Sequence, residues 1–175
     1  MEGAGVSGLD AHESARAARG IGPGWGAPGS RRAPFTVLSE VGRLLEIRVF
    51  GVCSVDDIVA LTCQLREAAH LLDGQPIIFG DFRTACPFSQ AVADEWSRDM
   101  RGFNGKLTRS ALLLSAENET FNLQLARVVR CAGWASRRLF SSAGELREWL
   151  RGSLTEVELA RLNCLLESPF LAQGA

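Results

Sequence analysis

Two short, almost wholly apolar segments constrain the fold of this chain more than any other part of its sequence. The first comprises residues 76–82 and the second comprises residues 110–115. Apolar segments of this length, without alternating polar residues, are typical of β-strands covered on both faces, as in the centre of a parallel sheet. The sequence therefore predicts an α/β protein in which these two strands lie side by side between layers of helices.

A β-hairpin and a capped helix precede the first of these strands. Residues 35–38 and 44–50 have the residue types of two strands on either side of Gly42, which favours an antiparallel pair. In the second strand, the alternation of residues predicts one buried face and one mixed face. Ser54 then begins a helix, and Asp57, three residues further on, completes an approximate capping box.

The rest of the chain continues to alternate between helix and strand. Further helices are predicted near residues 88–100 and 118–132, a short strand at 138–140, and two last helices that begin at Ser142 and Thr155. The order is thus ββαβαβαβα plus an extra C-terminal helix. Because strands that alternate with helices require crossover connections, we expect a mixed, mostly parallel sheet packed with helices.

The domain organisation follows from the change in composition near residue 34. Residues 1–33 are rich in glycine, alanine, serine and proline and bury too little apolar surface to offset the entropy of ordering, so we expect a disordered N-terminal tail. Residues 34–168 are predicted to form one α/β domain that includes the C-terminal helical extension. Residues 169–175 are predicted to be a flexible C-terminus.

Composition excludes several classes of function. The formal net charge is -1, so the chain as a whole has no electrostatic attraction for nucleic acid or anionic lipid. No run of about 18 apolar residues is present to span a membrane, and the first residues do not resemble a secretory signal, so a cytoplasmic location is expected. The scarcity of lysine beside many arginines is typical of a GC-rich bacterial genome.

The cysteines and histidines do not predict a metal centre or a cofactor. Five cysteines and two histidines are present, but no two cysteines have the short spacing that zinc sites use. We expect the cysteines to be reduced thiols that serve as small core residues. Cys131 and Arg137 have the spacing of a phosphatase loop, but Cys131 closes a helix rather than a strand, which reverses the polarity that this chemistry needs. No enzyme active site is predicted.

The segment 81–89 is the strongest candidate for a functional site. It follows a central strand and leads into a helix, and ligands of parallel sheets gather at this edge, where helix N-termini favour anions. A phosphate added at Thr84 or Ser89 would gain from that dipole. The alternative is purely structural, in that Ser89 or Thr84 caps the helix and Asp81 pairs with Arg83. The candidate site residues are Asp81, Arg83, Thr84, Cys86 and Ser89.

The order of elements resembles that of STAS domains, the SpoIIAA-like family of bacterial anti-sigma-factor antagonists and sulfate-transporter domains. The resemblance runs from about Phe35 to Arg151, and Gly51 and the apolar strand that ends at Asp81 echo the family locally. The antagonists continue after that strand with Asp-Ser-Ser-Gly or Asp-Thr-Ser-Gly, whose hydroxyl a kinase phosphorylates. This chain has Asp-Phe-Arg-Thr-Ala-Cys-Pro instead, so the resemblance concerns the fold and not the phosphorylation switch.

The resemblance implies a non-enzymatic protein-interaction module in bacterial signalling. Its partner, a kinase or another regulatory protein, would bind the first two helices and the 81–89 loop, and a homodimer is an open alternative. A second alternative is a small-molecule or lipid binding domain that uses the crevice at the C-terminal ends of the strands. A modest basic run at Arg98, Arg101, Lys106 and Arg109 would steer an acidic partner, or is a solvated connection.

Overall fold

The computed structural model describes residues 33–168, which alternate between strands and helices in the predicted order. The predicted tail, apart from residue 33, and the predicted flexible C-terminus lie outside the described residues. The elements are β1 (Phe35–Val41), β2 (Leu44–Gly51), α1 (Val55–His70), β3 (Ile77–Ala85), α2 (Gln90–Gly102), β4 (Arg109–Leu113), α3 (Glu119–Ala132), β5 (Arg137–Phe140), α4 (Ala143–Arg151) and α5 (Glu156–Glu167).

The five strands form one sheet in which spatial order equals chain order. β1 and β2 form the predicted antiparallel hairpin, and all later neighbours pair in parallel. The two apolar segments are neighbours: Ile77 lies opposite Arg109, and Asp81 lies opposite Leu113. The prediction of two adjacent central strands is therefore confirmed.

Helices cover both faces of the sheet. One buried cluster joins α1, α2 and α3 to the face that carries Leu45 and Ile47. A second cluster joins α4 and α5 to the face that carries Leu44 and Phe79. The second face of β2 was predicted to be mixed, but Glu46 on that face is only 2% exposed. The reason is α5, which packs over the hairpin and supplies a partner for this carboxylate.

Two ion pairs between half-buried arginines and buried carboxylates attach α5 to the hairpin. The guanidinium of Arg161 donates two hydrogen bonds to Glu46, at 2.7 and 2.8 Å. Glu158 accepts a hydrogen bond from the backbone N–H of Arg43 at 2.6 Å and also pairs with the Arg43 side chain. Burial opposes ionisation of Glu158, but the hydrogen bonds from Thr155 and Arg43 outweigh it and lower the pKa of the carboxyl.

The helix caps account for the positions at which the helices begin. Ser54 and Asp57 form the predicted capping box, and Thr155 forms a second one with Glu158. Such boxes satisfy two backbone N–H groups that the first helical turn leaves unbonded. Gly133 ends α3 in the left-handed conformation with φ of 63°, where glycine lacks the steric penalty of other residues.

The cysteines are less buried than expected. Only Cys53 is buried and Cys86 is half-buried, whereas the other three are exposed, namely Cys63, Cys131 and Cys164. The expectation that all five serve as core residues is therefore wrong. The reason is that each exposed thiol lies on the outer surface of a helix whose other residues supply the apolar contacts.

Candidate functional site

The first part of the 81–89 segment belongs to a strand and not to a loop. β3 continues to Ala85, because Thr84 and Ala85 pair with Phe50 and Gly51 of β2. Between Arg48 and Phe50 the register shifts by one residue, so β3 contains a β-bulge there. The end of this strand, predicted at residue 82, is therefore wrong, and the connection to α2 begins at Cys86.

Asp81 is buried beside the bulge and forms a two-pronged ion pair with Arg83. The two N···O distances are 3.0 and 2.7 Å, and Asp81 also accepts a hydrogen bond from the backbone N–H of Arg83 at 3.2 Å. That N–H bonds to a side chain instead of a neighbouring strand, which is consistent with the bulge. Hydrogen bonding to Asp81 raises the pKa of Arg83. The pairing of these two residues, one of the sequence alternatives, is present.

The hydroxyl residues of the segment are both exposed. Ser89 is the N-cap of α2, and its Oγ accepts a hydrogen bond from the backbone N–H of Val92 at 3.4 Å. Thr84 lies near the carboxyl end of the β2–β3 pairing, opposite Phe50. Of the two hydroxyl residues, Ser89 is therefore the one at a helix N-terminus, where the helix dipole would stabilise a phosphate dianion.

Two polar residues that the sequence does not single out hold this segment in place: Asn118, the N-cap of α3, and Gln124 within α3. Asn118 donates from Nδ2 to the carbonyl of Ala85 at 2.8 Å. Gln124 accepts from the N–H of Phe88 at 3.0 Å and donates to its carbonyl at 2.8 Å. The Phe88 ring also packs against Trp96 in an edge-on arrangement. The connection between β3 and α2 is therefore held in place by hydrogen bonds to its backbone and by the packing of the Phe88 ring.

Exposed apolar side chains flank the same edge. Val52, between β2 and α1, is 57% exposed, and Val59 on α1 is 44% exposed. Leu123 of α3 is 74% exposed and directly precedes Gln124. The backbone N–H of Cys86 bonds to the carbonyl of Gly51 at 2.9 Å, and Phe88 bonds to Gln124, so the connection lies between the end of β2 and the first half of α3. We call Val52, Val59, Leu123 and residues 86–89 the carboxyl rim.

An apolar cavity lies elsewhere, between α1, α2 and the amino-terminal half of the parallel strands. Its volume is about 40 Å³. At one side lies Arg137, which donates hydrogen bonds to the carbonyl of Met100 and to Asn104. Burial lowers the pKa of Arg137 to about 10. The residues that line the cavity include Ile47, Leu65, Trp96, Met100, Leu107 and Arg137.

Within residues 33–168, no three histidine, cysteine, aspartate or glutamate side chains converge as metal ligands would. Among the helices of the same range, none has both the length and the apolar character needed to cross a bilayer.

The fold that these elements define is the SpoIIAA-like α/β fold. A matching solved structure is that of an uncharacterized protein of the DUF3478 family, with a SpoIIAA-like fold, from Shewanella loihica PV-4. The match has a TM-score of 0.52 at 15% sequence identity and covers 69% of this chain and 97% of that chain. No protein-family model matches this chain, and no curated protein matches it. At this identity the likeness concerns the fold, and it confirms the fold predicted from the sequence.

Proposed function

We propose that this chain is a cytoplasmic, non-enzymatic protein-interaction module of bacterial signalling, and that its partner binds the carboxyl rim. The observation that carries the proposal is the group of exposed apolar side chains beside a rigidly held connection. Exposed apolar surface with a polar border is typical of protein–protein contact sites. Burial of Val52 and Leu123 against a partner would recover the hydrophobic free energy that these side chains lack in the isolated chain.

The rigidity of the rim supports the same proposal. Gln124 and Asn118 bond to the backbone on the α3 side, and Gly51 bonds to Cys86 on the other. A surface that is already ordered loses little conformational entropy on binding, which favours affinity. The Asp81–Arg83 pair contributes to this order from within the sheet, so its proposed role is to position the rim and not to contact the partner.

A matched pair of double variants tests the proposal. Val52→Asp with Leu123→Asp places two charges on the rim, whereas Leu71→Asp with Val157→Asp places them on side chains of similar exposure, 77% and 67%, outside the rim. The immobilised wild-type chain and both variants are incubated with extract of the native host. We expect the same protein to be retained by the wild type and the control and lost by the rim variant. Equal retention by all three would contradict the proposal.

Phosphorylation of a hydroxyl at the rim would regulate the binding of the partner. Ser89 is exposed and begins α2, so a phosphate on its Oγ would lie at the positive end of the helix dipole. Thr84, also exposed, lies on a strand and lacks this stabilisation. We propose Ser89 as the modified hydroxyl. A phosphate there would place about two negative charges beside the surface that the partner binds.

The binding of a small apolar ligand is the second candidate, and the cavity lined by Met100 and Arg137 is the observation that favours it. Its volume of about 40 Å³ is well below the roughly 300–1,000 Å³ of sites for drug-sized ligands. It also lies toward the amino ends of the strands, whereas the sequence predicts such a site at their carboxyl ends. A rise in melting temperature with added laurate, abolished by the filling variant Ser110→Leu, would favour this candidate.

A further inference from the structure

A polar groove runs along the outer surface between α2 and α3. Its volume is about 280 Å³. On α2 it extends from Gln90 to Arg101, which at 1.5 Å per residue is a length of about 17 Å. The end of the groove at Gln90 adjoins Ser89 and therefore the carboxyl rim. The residues that line it are Gln90, Ala93, Asp94, Ser97, Arg98, Arg101, Arg127, Val128 and Cys131.

Positive charge exceeds negative charge in this groove. Three guanidinium groups line it, those of Arg98, Arg101 and Arg127. Arg98 pairs with Glu95, and Arg127 bonds to the neutral side chain of Gln90 at 3.1 Å. Arg101 has no carboxylate partner among residues 33–168. Two carboxylates carry the opposite charge, those of Asp94 and Glu95. Asp94 also accepts a hydrogen bond from the side chain of Gln90 at 2.6 Å.

The spacing of the charges selects an extended anion. Arg127 contacts Gln90 at one end of α2, and Arg98 and Arg101 line the groove further along the same helix, so the positive charges are spread along its length. An extended peptide rises about 3.3 Å per residue, so roughly five residues span the groove. The two carboxylates, Asp94 and Glu95, would repel the evenly spaced phosphates of a nucleic acid, whereas a peptide can place its acidic side chains away from them.

We propose that the groove between α2 and α3 binds an extended acidic segment of the same protein partner that covers the carboxyl rim. This inference rests on the proposed function, because it names the chemistry of that partner. The rim would supply apolar contact area, and the groove would supply charge selection. Exposed charges act mainly on the rate of encounter and on specificity, so the groove would choose among partners that the rim alone accepts.

Fluorescence anisotropy with a labelled peptide of alternating glutamate and alanine tests the groove without the natural partner. The groove variant carries Arg98→Gln, Arg101→Gln and Arg127→Gln. The control variant carries Arg138→Gln, Arg147→Gln and Arg151→Gln, three exposed arginines of β5 and α4, so the net charge of both variants changes equally. We expect roughly tenfold weaker binding by the groove variant at low salt, and a change within about twofold for the control.

Three results would overturn this inference. These are absence of peptide binding by the wild type, equal weakening in both variants, and stronger groove-dependent binding of oligothymidylate or of vesicles made of equal parts phosphatidylcholine and phosphatidylserine. Circular dichroism of each variant verifies that it is folded. Because the peptide assay does not involve Val52 or Leu123, its failure leaves the rim proposal standing. If the rim variant retained the partner as well as the wild type does, the rim proposal would fail. Peptide binding by the groove could then no longer be assigned to a partner that covers the rim.

Discussion

The side-chain amide of Gln124 forms two hydrogen bonds with the backbone of Phe88, one to its N–H at 3.0 Å and one to its carbonyl at 2.8 Å. The two residues lie on different elements, α3 and the connection between β3 and α2. A helix and a connection that are distant in the chain are thereby joined at the edge where we place the partner. The order of the carboxyl rim depends on this contact.

Replacement of Gln124 by alanine should destabilise the chain. The partly buried N–H and carbonyl of Phe88 would lose their partners, at a cost of about 1–3 kcal/mol. Urea denaturation measures this change in the free energy of unfolding. Gln64→Ala, at an exposed position of α1, is the control and should change it by less than about 0.5 kcal/mol. Equal effects of the two variants would mean that the Phe88 contacts contribute nothing.

Two glycine-to-alanine variants should have opposite effects. A Cβ at Gly80 would lie 2.5 Å from the Phe82 ring and 2.8 Å from Leu112, so Gly80→Ala overpacks the core at a cost of about 1–3 kcal/mol. A Cβ at Gly144 in α4 would be 3.6 Å from Ser142, and Gly144→Ala should stabilise the helix by about 0.5–1 kcal/mol. Thermal unfolding compares them. A neutral Gly80→Ala would show that the central strand is packed more loosely.

The attachment of α5 should weaken in acid. The pKa of Glu158 is lower in the folded chain than its ordinary value of 4.5, so the ionised carboxylate stabilises the fold. This stabilisation is complete above pH 4.5 and is lost as the pH falls through the folded-state pKa. Urea denaturation of the wild type and Glu158→Gln from neutral pH downward should show a difference that shrinks below about pH 4.5.

The variant Glu67→Gln, at an exposed carboxylate of α1, is the control for that series. Its difference from the wild type should be small at every pH, because Glu67 is exposed and α1 packs on the face of the sheet opposite to α5. A constant difference between wild type and Glu158→Gln across the whole range would contradict the assigned role of Glu158 in α5 attachment.

Phosphorylation at Ser89 would be visible in the intact mass of the chain expressed in its native host. We expect a species heavier by one phosphate in the wild type and in Thr84→Ala, and its absence from Ser89→Ala. The physical reason is the helix N-terminus at Ser89, which stabilises the dianion. A phosphate that persists in Ser89→Ala would assign the modification to another residue and contradict the proposal.

Local chemistry made most of the fold predictable from the sequence. Ser54, Ser142 and Thr155 begin helices because each hydroxyl accepts a hydrogen bond from the backbone N–H three residues later. These signals lie within one helical turn and need no knowledge of the rest of the chain. The central position of β3 and β4 was predictable for a similar reason, since continuous apolarity is possible only where both faces are covered.

Contacts between distant parts of the chain were not predictable in the same way. Glu46 is buried because Arg161, 115 residues later, neutralises it, and no pattern near Glu46 indicates that partner. The extension of β3 past Phe82 depends on the bulge at Arg83, which is a property of two strands together. Nothing in the sequence distinguishes Gln124 from other polar helix residues, because its partner is the backbone of Phe88 and not a side chain.

Site-specific photo-crosslinking tests the central claim, that a protein partner covers the carboxyl rim, most directly. The photoreactive residue benzoylphenylalanine replaces Val52, Leu123 or, as the control, Leu71, and the chain is irradiated in the native host. The account predicts one common adduct from the positions of Val52 and Leu123 and none from that of Leu71. An adduct at Leu71 alone, or no adduct at either rim position, would contradict it.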